Sequence, residues 1–187
     1  MSKTVLVPVA DGTEEIEAVT IIDVLRRAGA EVTVASVGDL QITASRGVKL
    51  VADTRIADCV EKTYDLVVLP GGIPGAEHLR DDEDLKQILL RQQSQGRLFG
   101  AICAAPAVVL ETHGLLQGRA ATCHPNFAQR LGDPSAAHSN VVFDQGCITS
   151  RGPGTAMAFS LKLVELLFGK EKMDAVAEPM VMGHLDQ

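Results

Sequence analysis

With 187 residues, 46% of them hydrophobic and 22% charged, the chain has the length and apolar content of a single folded domain over residues 1–187, which excludes a disordered tail or a disulfide-stapled miniature. Its 24 acidic residues against 17 basic ones give a formal charge of -7, and aromatic residues make up only 3%, so neither the basic patches nor the stacking platforms of a constitutive nucleic-acid binder are expected. No apolar run nears the roughly 18 residues of a membrane span, and the apolar start at residues 5–10 gives way to Asp11, Gly12, Thr13, Glu14 and Glu15, too short and too acidic for a secretion signal; a cytoplasmic protein is expected.

Residues 3–10 read as a short buried strand, followed by an acidic turn and a helical period of apolar residues over 14–28. Asp11, with Glu14 three positions on, has capping-box spacing, and Gly29 stands where a left-handed helix terminator is wanted. Residues 31–37 form the next strand, and 40–52 read as two short strands around Ser45, Arg46 and Gly47, an excursion from the main sheet. The chain returns to the sheet at 64–69, turns at Pro70, Gly71, Gly72, Ile73, Pro74 and Gly75, and enters a helix over 84–95 through Leu85, Ile88 and Leu89. A buried strand at 98–102 runs into Cys103, and a helix with Pro106 near its first turn begins at once. Residues 119–123 and 141–149 supply further strands, and 155–168 a long amphipathic helix. Repeated strand-then-helix alternation with aliphatic strands predicts an α/β fold: a mostly parallel central sheet covered by helices on both faces, with ligands beyond the carboxyl ends of the strands.

Cys103 stands where a buried strand meets a helix N-terminus, whose free N–H groups and dipole favour a thiolate. A lone cysteine is as often a small core hydrophobe. What favours reactivity here is the neighbouring Gly71 and Gly72, whose turn lets backbone amides approach a ligand and, with those after Cys103, form an oxyanion or sulfinate cradle. Glu17 shares the apolar stripe of its helix with Ile21, Val24 and Ala28, so its carboxyl is expected to be desolvated and its pKa raised. The competing role, a glutamate complementing the helix dipole, fits Glu14 and Glu15 better. His124 follows a predicted strand at its carboxyl end; alternation points it to the cleft and Cys123 into the core. Cys59 and Cys147 have no activating context, and the four cysteines are too far apart for a Cys-x-x-Cys pair. His78, His113, His138 and His184 lack metal-ligand spacing and read as surface or structural; no metal site is expected. Gly152, Pro153 and Gly154 lack the third glycine of a dinucleotide fingerprint, and no Walker or Gly-x-Ser-x-Gly motif occurs.

Taken together, five motifs resemble the ThiJ/PfpI superfamily and, within it, the branch of the Parkinsonism-associated deglycase, over nearly the entire chain: Glu14 to Glu17; Leu69 to Gly72; Ala101 to Pro106; His124 with Pro125; and Ser150 to Thr155. The resemblance implies a flavodoxin-like three-layer sandwich, usually a homodimer, that needs no cofactor. It implies that Cys103 is an oxidisable nucleophile, Glu17 a protonated carboxyl hydrogen-bonded to its sulfur, and His124 the nearby imidazole. Gly71, Gly72 and Ala104 are the implied oxyanion and substrate-binding positions, and Arg46, Arg26 or Arg27, and Pro153 lie near the implied pocket or dimer interface. Two departures matter. Ala104 stands where the protease-like branch carries a histidine, which argues against peptide hydrolysis, and Ala44 replaces an extra cysteine found before the serine-arginine pair in some members.

The function expected is a cysteine-dependent glyoxalase or deglycase acting on methylglyoxal, glyoxal or their early adducts on proteins and nucleotides, and releasing lactate or glycolate. The alternative is an oxidative-stress sensor or redox-regulated chaperone working through the sulfinate of Cys103. A purely structural interaction protein leaves the grouping of Glu17, Gly72 and Cys103 unexplained.

Overall fold

The computed structural model describes residues 2–182; His184 lies outside the described residues. In chain order the strands are β1 (Thr4–Val9), β2 (Glu31–Ser36), β3 (Gln41–Thr43), β4 (Lys49–Val51), β5 (Thr54–Arg55), β6 (Leu66–Leu69), β7 (Leu98–Ile102), β8 (Val141–Asp144) and β9 (Cys147–Ser150). The α-helices are α1 (Glu15–Arg27), α2 (Gly75–Asp81), α3 (Glu83–Ser94), α4 (Ala156–Phe168) and α5 (Lys170–Ala177).

Seven strands form one sheet in the order β5, β2, β1, β6, β7, β9, β8, parallel throughout except for β8, while β3 and β4 pair as a separate antiparallel hairpin. The central strands are aliphatic and buried on both faces. One face packs Val5, Val7, Leu66, Val68 and Ile148 against α1, α4 and α5; the other packs Leu6, Val67, Leu69 and Phe99 against α2, α3 and the helical turn Pro106–Leu110. This is the expected flavodoxin-like three-layer sandwich. The parallel strands β2, β1, β6, β7 and β9 run 2-1-3-4-5 in chain order, so the winding reverses between β1 and β6 and opens a crevice at their carboxyl ends.

Local chemistry explains where the elements start and stop. Gly29, at φ 88°, terminates α1 in a Schellman motif: its N–H donates to Arg26 O and that of Ala30 to Leu25 O. Asp11 does not cap α1 as the spacing suggested. The helix begins at Glu15, and Asp11 Oδ1 instead accepts the Thr43 N–H at 2.7 Å, tying the β3–β4 hairpin to the end of β1. The expected strand over 141–149 is a hairpin that reverses at Gln145 and Gly146, both at positive φ. The expected strand over 119–123 is extended but joins no sheet. Its alternate N–H groups bond to side chains, Ala120 to Asp144 Oδ2 and Thr122 to Thr149 Oγ1, both at 2.9 Å. It reads as a strand in sequence, but it lacks a strand's ladder.

Candidate active site

Cys103 ends β7 at φ 65°, a left-handed conformation that is costly for a residue with a side chain. The surroundings hold it there: its N–H donates to Ser150 O at 3.0 Å, and its carbonyl accepts the His124 N–H at 2.7 Å. Immediately beyond it the chain winds into wide helical turns in which Glu111 N–H reaches Pro106 O. The backbone N–H groups of Gly72 and Ala104 lie beside the Cys103 sulfur and favour its thiolate form. Among the four cysteines only Cys103 is half-exposed; Cys59, Cys123 and Cys147 are buried.

Glu17, on the second turn of α1, is fully buried. Its Oε2 accepts the Gly71 N–H at 2.7 Å, while Oε1 is buried without a hydrogen-bond partner. Gly71 fits only because it lacks a side chain: a Cβ there would lie 2.6 Å from Cys103 Cβ and 3.0 Å from Glu17 Oε2. Its amide therefore serves the carboxylate and is not an oxyanion donor, so of the two glycines only Gly72 faces the sulfur.

Burial pushes the Glu17 carboxyl up to about 7, against the Gly71 N–H and the Cys103 side chain, which favour its ionised form; the nearby Glu14 raises it further. Burial likewise pushes the Cys103 thiol up to about 12, reinforced by the Glu17 charge and opposed by the Gly72 and Ala104 amides. The expectation that a helix N-terminus alone would give a low thiol pKa is thus corrected: two N–H donors do not outweigh burial and an adjacent carboxylate. The two groups titrate as a pair. Around neutral pH Glu17 is suited to take the thiol proton as the sulfur attacks, and to return it later.

The raised Glu17 pKa has a consequence for stability. Between pH 4.5 and about 7 the folded protein keeps a proton that the unfolded chain has released, so this group's contribution to stability falls as pH rises through that window and levels off above it. Glu17→Gln removes the titration. Urea denaturation at pH 5 and pH 8 is expected to show the variant gaining about 3 kcal/mol on the wild type between the two conditions; parallel pH dependences would contradict it.

His124 is half-buried and Cys123 is buried, with its thiol pushed up to about 11 by burial, as alternation predicted for the pair. The His124 Nδ1 accepts the Asn126 N–H at 3.2 Å, which leaves Nε2 to carry the ring proton, and the ring packs edge-on to Phe127 and near Gly152. Pro153 is exposed at the head of the turn that follows. The arginines are not part of this cluster. Arg26 bonds Val32 O and pairs with Asp53, and Arg27 pairs with Asp23, all at the far end of α1 from Glu17. Arg46 is exposed on the β3–β4 connection, where its N–H donates to Glu15 Oε1 at 2.8 Å.

Two features had no signal in the spacing. Ser45 Oγ lies 2.7 Å from Glu14 Oε2 and 2.9 Å from Glu15 Oε2, so a single hydroxyl hydrogen serves two nearly buried carboxylates. Burial raises the Glu15 carboxyl, but hydrogen bonds from its own N–H, Ser45, Arg46 and Val48 outweigh that and hold it below the usual range. Thr149, read only as a strand residue, holds the segment that carries His124. Among the described residues no three His, Cys, Asp or Glu side chains converge as a metal would require. A surface groove of about 360 Å³, lined by Ala10, Asp11, Val37, Asp39, His78 and Asp82, lies at the ends of β1 and β2 and includes none of Cys103, Glu17 and His124.

Comparison with known proteins adds to this geometry. Residues 3–166 match the DJ-1/PfpI family. The chain is 50% identical to Protein DJ-1 homolog B of Arabidopsis thaliana over 97% of its own length and 42% of that protein's, so it spans less than half of that relative. It is 37% identical to Glutathione-independent glyoxalase DJR-1.2 of Caenorhabditis elegans, covering 97% of each chain. The solved structure of oxidized Toxoplasma gondii DJ-1 superposes with a TM-score of 0.95 at 46% identity, covering 98% of this chain and 100% of the other.

Proposed function

The chain belongs to the DJ-1/PfpI family, and from that premise we propose that it is a cofactor-independent glyoxalase or deglycase that works through Cys103. The observation that carries this reading is Cys103 itself, partly exposed at a strained elbow, with the Gly72 and Ala104 amides on one side and the buried Glu17 carboxyl, its pKa raised toward neutrality, on the other. The glyoxalase named among its relatives supports the same reaction class.

The reaction follows from those groups. As Glu17 takes the thiol proton, the Cys103 sulfur adds to the aldehyde carbon of methylglyoxal; the oxygen charge that develops is met by the Gly72 and Ala104 amides, and Glu17 returns its proton to that oxygen, giving the hemithioacetal. The hydrogen on that carbon leaves as a proton to Glu17 or His124, giving an enediol, and is returned to the neighbouring carbon. The first carbon is thereby oxidised and the second reduced, with no outside oxidant. The resulting lactoyl thioester is cleaved by water to lactate and free thiol. Early adducts on protein or nucleotide amines are in equilibrium with free aldehyde, so consuming the aldehyde also removes them. Purified protein given methylglyoxal, without glutathione or added metal, is expected to form lactate; an absence of lactate would overturn the reading.

A second reading is favoured by Cys103 being the only half-exposed cysteine of the four, beside N–H donors that suit a sulfinate. Peroxide converts the thiol to a sulfenic acid and a second peroxide converts that to the sulfinic acid, each releasing one water. Mass spectrometry after mild peroxide is expected to find the two added oxygens at Cys103; even oxidation of all four cysteines would argue against a sensor.

The protein's working form is proposed to be a homodimer. Ile16 and Val19 of α1 and Val48 and Val51 of the hairpin are exposed, and Glu14 and Glu15 at the head of the first element bond Ser45 and Arg46 of the second, so apolar and charged groups are both offered to a second copy about a two-fold axis. The cytoplasmic assignment belongs to the same proposal and rests on four free thiols.

A further inference from the structure

Residues 120–124 reach the site without joining the sheet. Three N–H groups at alternate positions hold them: Ala120 to Asp144 Oδ2 at 2.9 Å, Thr122 to Thr149 Oγ1 at 2.9 Å, and His124 to Cys103 O at 2.7 Å. In an ordinary ladder every acceptor is a backbone carbonyl, present whatever the side chains are. Here two of the three are side-chain oxygens, so the register of the segment depends on which residues stand on β8 and β9.

The middle bond is the buried one. Thr122 is 0% and Thr149 1% exposed, so losing Thr149 Oγ1 would leave the Thr122 N–H buried away from bulk water and without the acceptor it now has. The Thr122 hydroxyl is already committed to Ala137 O at 3.0 Å. His124 lies two residues further on, and its ring accepts the Asn126 N–H on Nδ1 and packs on the edge of Phe127 and near Gly152. Sliding the segment therefore moves the imidazole relative to Cys103, while the sulfur keeps its own donors on Gly72 and Ala104.

We propose that Thr149 is a positioning residue: its hydroxyl oxygen, accepting the Thr122 N–H, sets the placement of the His124 imidazole against Cys103. The proposal deepens the glyoxalase reading and rests on it for its kinetic test, while its spectroscopic test stands apart. Thr149→Val keeps the shape and removes the acceptor; Thr149→Ser keeps the acceptor and removes a methyl group.

The measurements are kcat and KM for methylglyoxal, normalised to titratable Cys103 thiol, together with the 15N signals of the His124 ring, for wild type, both Thr149 variants and His124→Ala. Because small misplacements of reacting groups are costly, Thr149→Val is expected to lose about 10- to 100-fold in kcat with KM changed by less than about threefold, approaching His124→Ala, while Thr149→Ser stays within about threefold of wild type. The wild type and the Ser variant are expected to show one neutral ring form protonated at Nε2, and the Val variant a mixture. A merely structural Thr149 would lower the melting temperature and the fraction of reactive thiol but leave kcat per thiol and the ring signals unchanged, and that result overturns the proposal. If Thr149→Val fails to fold, Thr149→Ala removes the same acceptor and leaves room for a water, and an unchanged kcat per thiol and ring spectrum there overturns it equally. Should the wild type form no lactate, the functional reading fails and the ring spectra alone decide the role of Thr149.

Discussion

Replacing Cys103 with serine is expected to lower lactate formation from methylglyoxal by about 10³-fold or more while leaving the fold intact. The substituted hydroxyl occupies the same strained elbow and meets the same Gly72 and Ala104 amides, so position and oxyanion donors are preserved. What is lost is the acidity and nucleophilicity of sulfur. Glu17, at about 7, takes the thiol proton as attack draws off charge, whereas an alcohol is a far weaker acid than a thiol in the same place and its neutral oxygen a much poorer nucleophile. The check is lactate produced per folded molecule, alongside a denaturation curve. A variant retaining more than a tenth of wild-type turnover would remove Cys103 from the chemistry.

The second large effect is on stability. Gly72→Ala is expected to destabilise the protein by about 3–5 kcal/mol, combining a left-handed backbone with overpacking that cannot relax. Gly72 has φ 89°, and a Cβ there would stand 2.4 Å from Gly12 O and 2.5 Å from Glu14 N, both of them backbone atoms. Gly118→Ala is the control: it also has positive φ, 72°, but a Cβ there meets nothing within 4 Å. That variant is expected to lose only about 1 kcal/mol. Urea denaturation of both separates conformational cost from steric cost; equal losses would mean that the contact around Gly72 carries no weight.

Elements built from aliphatic runs were legible in the sequence. β1, β6 and β7 are fully buried strands, α1 carries an apolar stripe and a left-handed glycine stop, and each came through within a few residues of its bounds. The same regularity put Cys103 at a strand-helix junction and Glu17 on the inward face beside it. What could not be read depended on bonds between distant segments. Asp11 has the spacing of a helix cap, yet its acceptor is taken by Thr43, 32 positions away. Residues 119–123 read as a strand, but the Ala120 and Thr122 N–H groups find side chains, which no local pattern distinguishes from a ladder. α2 has a mixed sequence that begins at Gly75 with no periodic signal, and β5 is two residues long. The thiol's raised pKa depends on the balance between burial, a neighbouring carboxylate and two amides, and of these only the carboxylate, Glu17, is written in residue identity.

The loops after β1 and β6 interlock: Gly12, Gly72 and Gly75 meet at distances only bare backbone allows, and Glu14 N–H bonds Gly71 O. Opposite them, His124 is carried on a segment held by three hydrogen bonds. The crevice thus has one rigid wall and one adjustable wall. The rigid wall carries Glu17 and the Gly72 amide, and the adjustable wall carries the His124 imidazole. Substitutions along residues 120–130 are accordingly expected to reshape the His124 side at little cost to the fold, whereas side chains added at Gly12, Gly72 or Gly75 are expected to destabilise it.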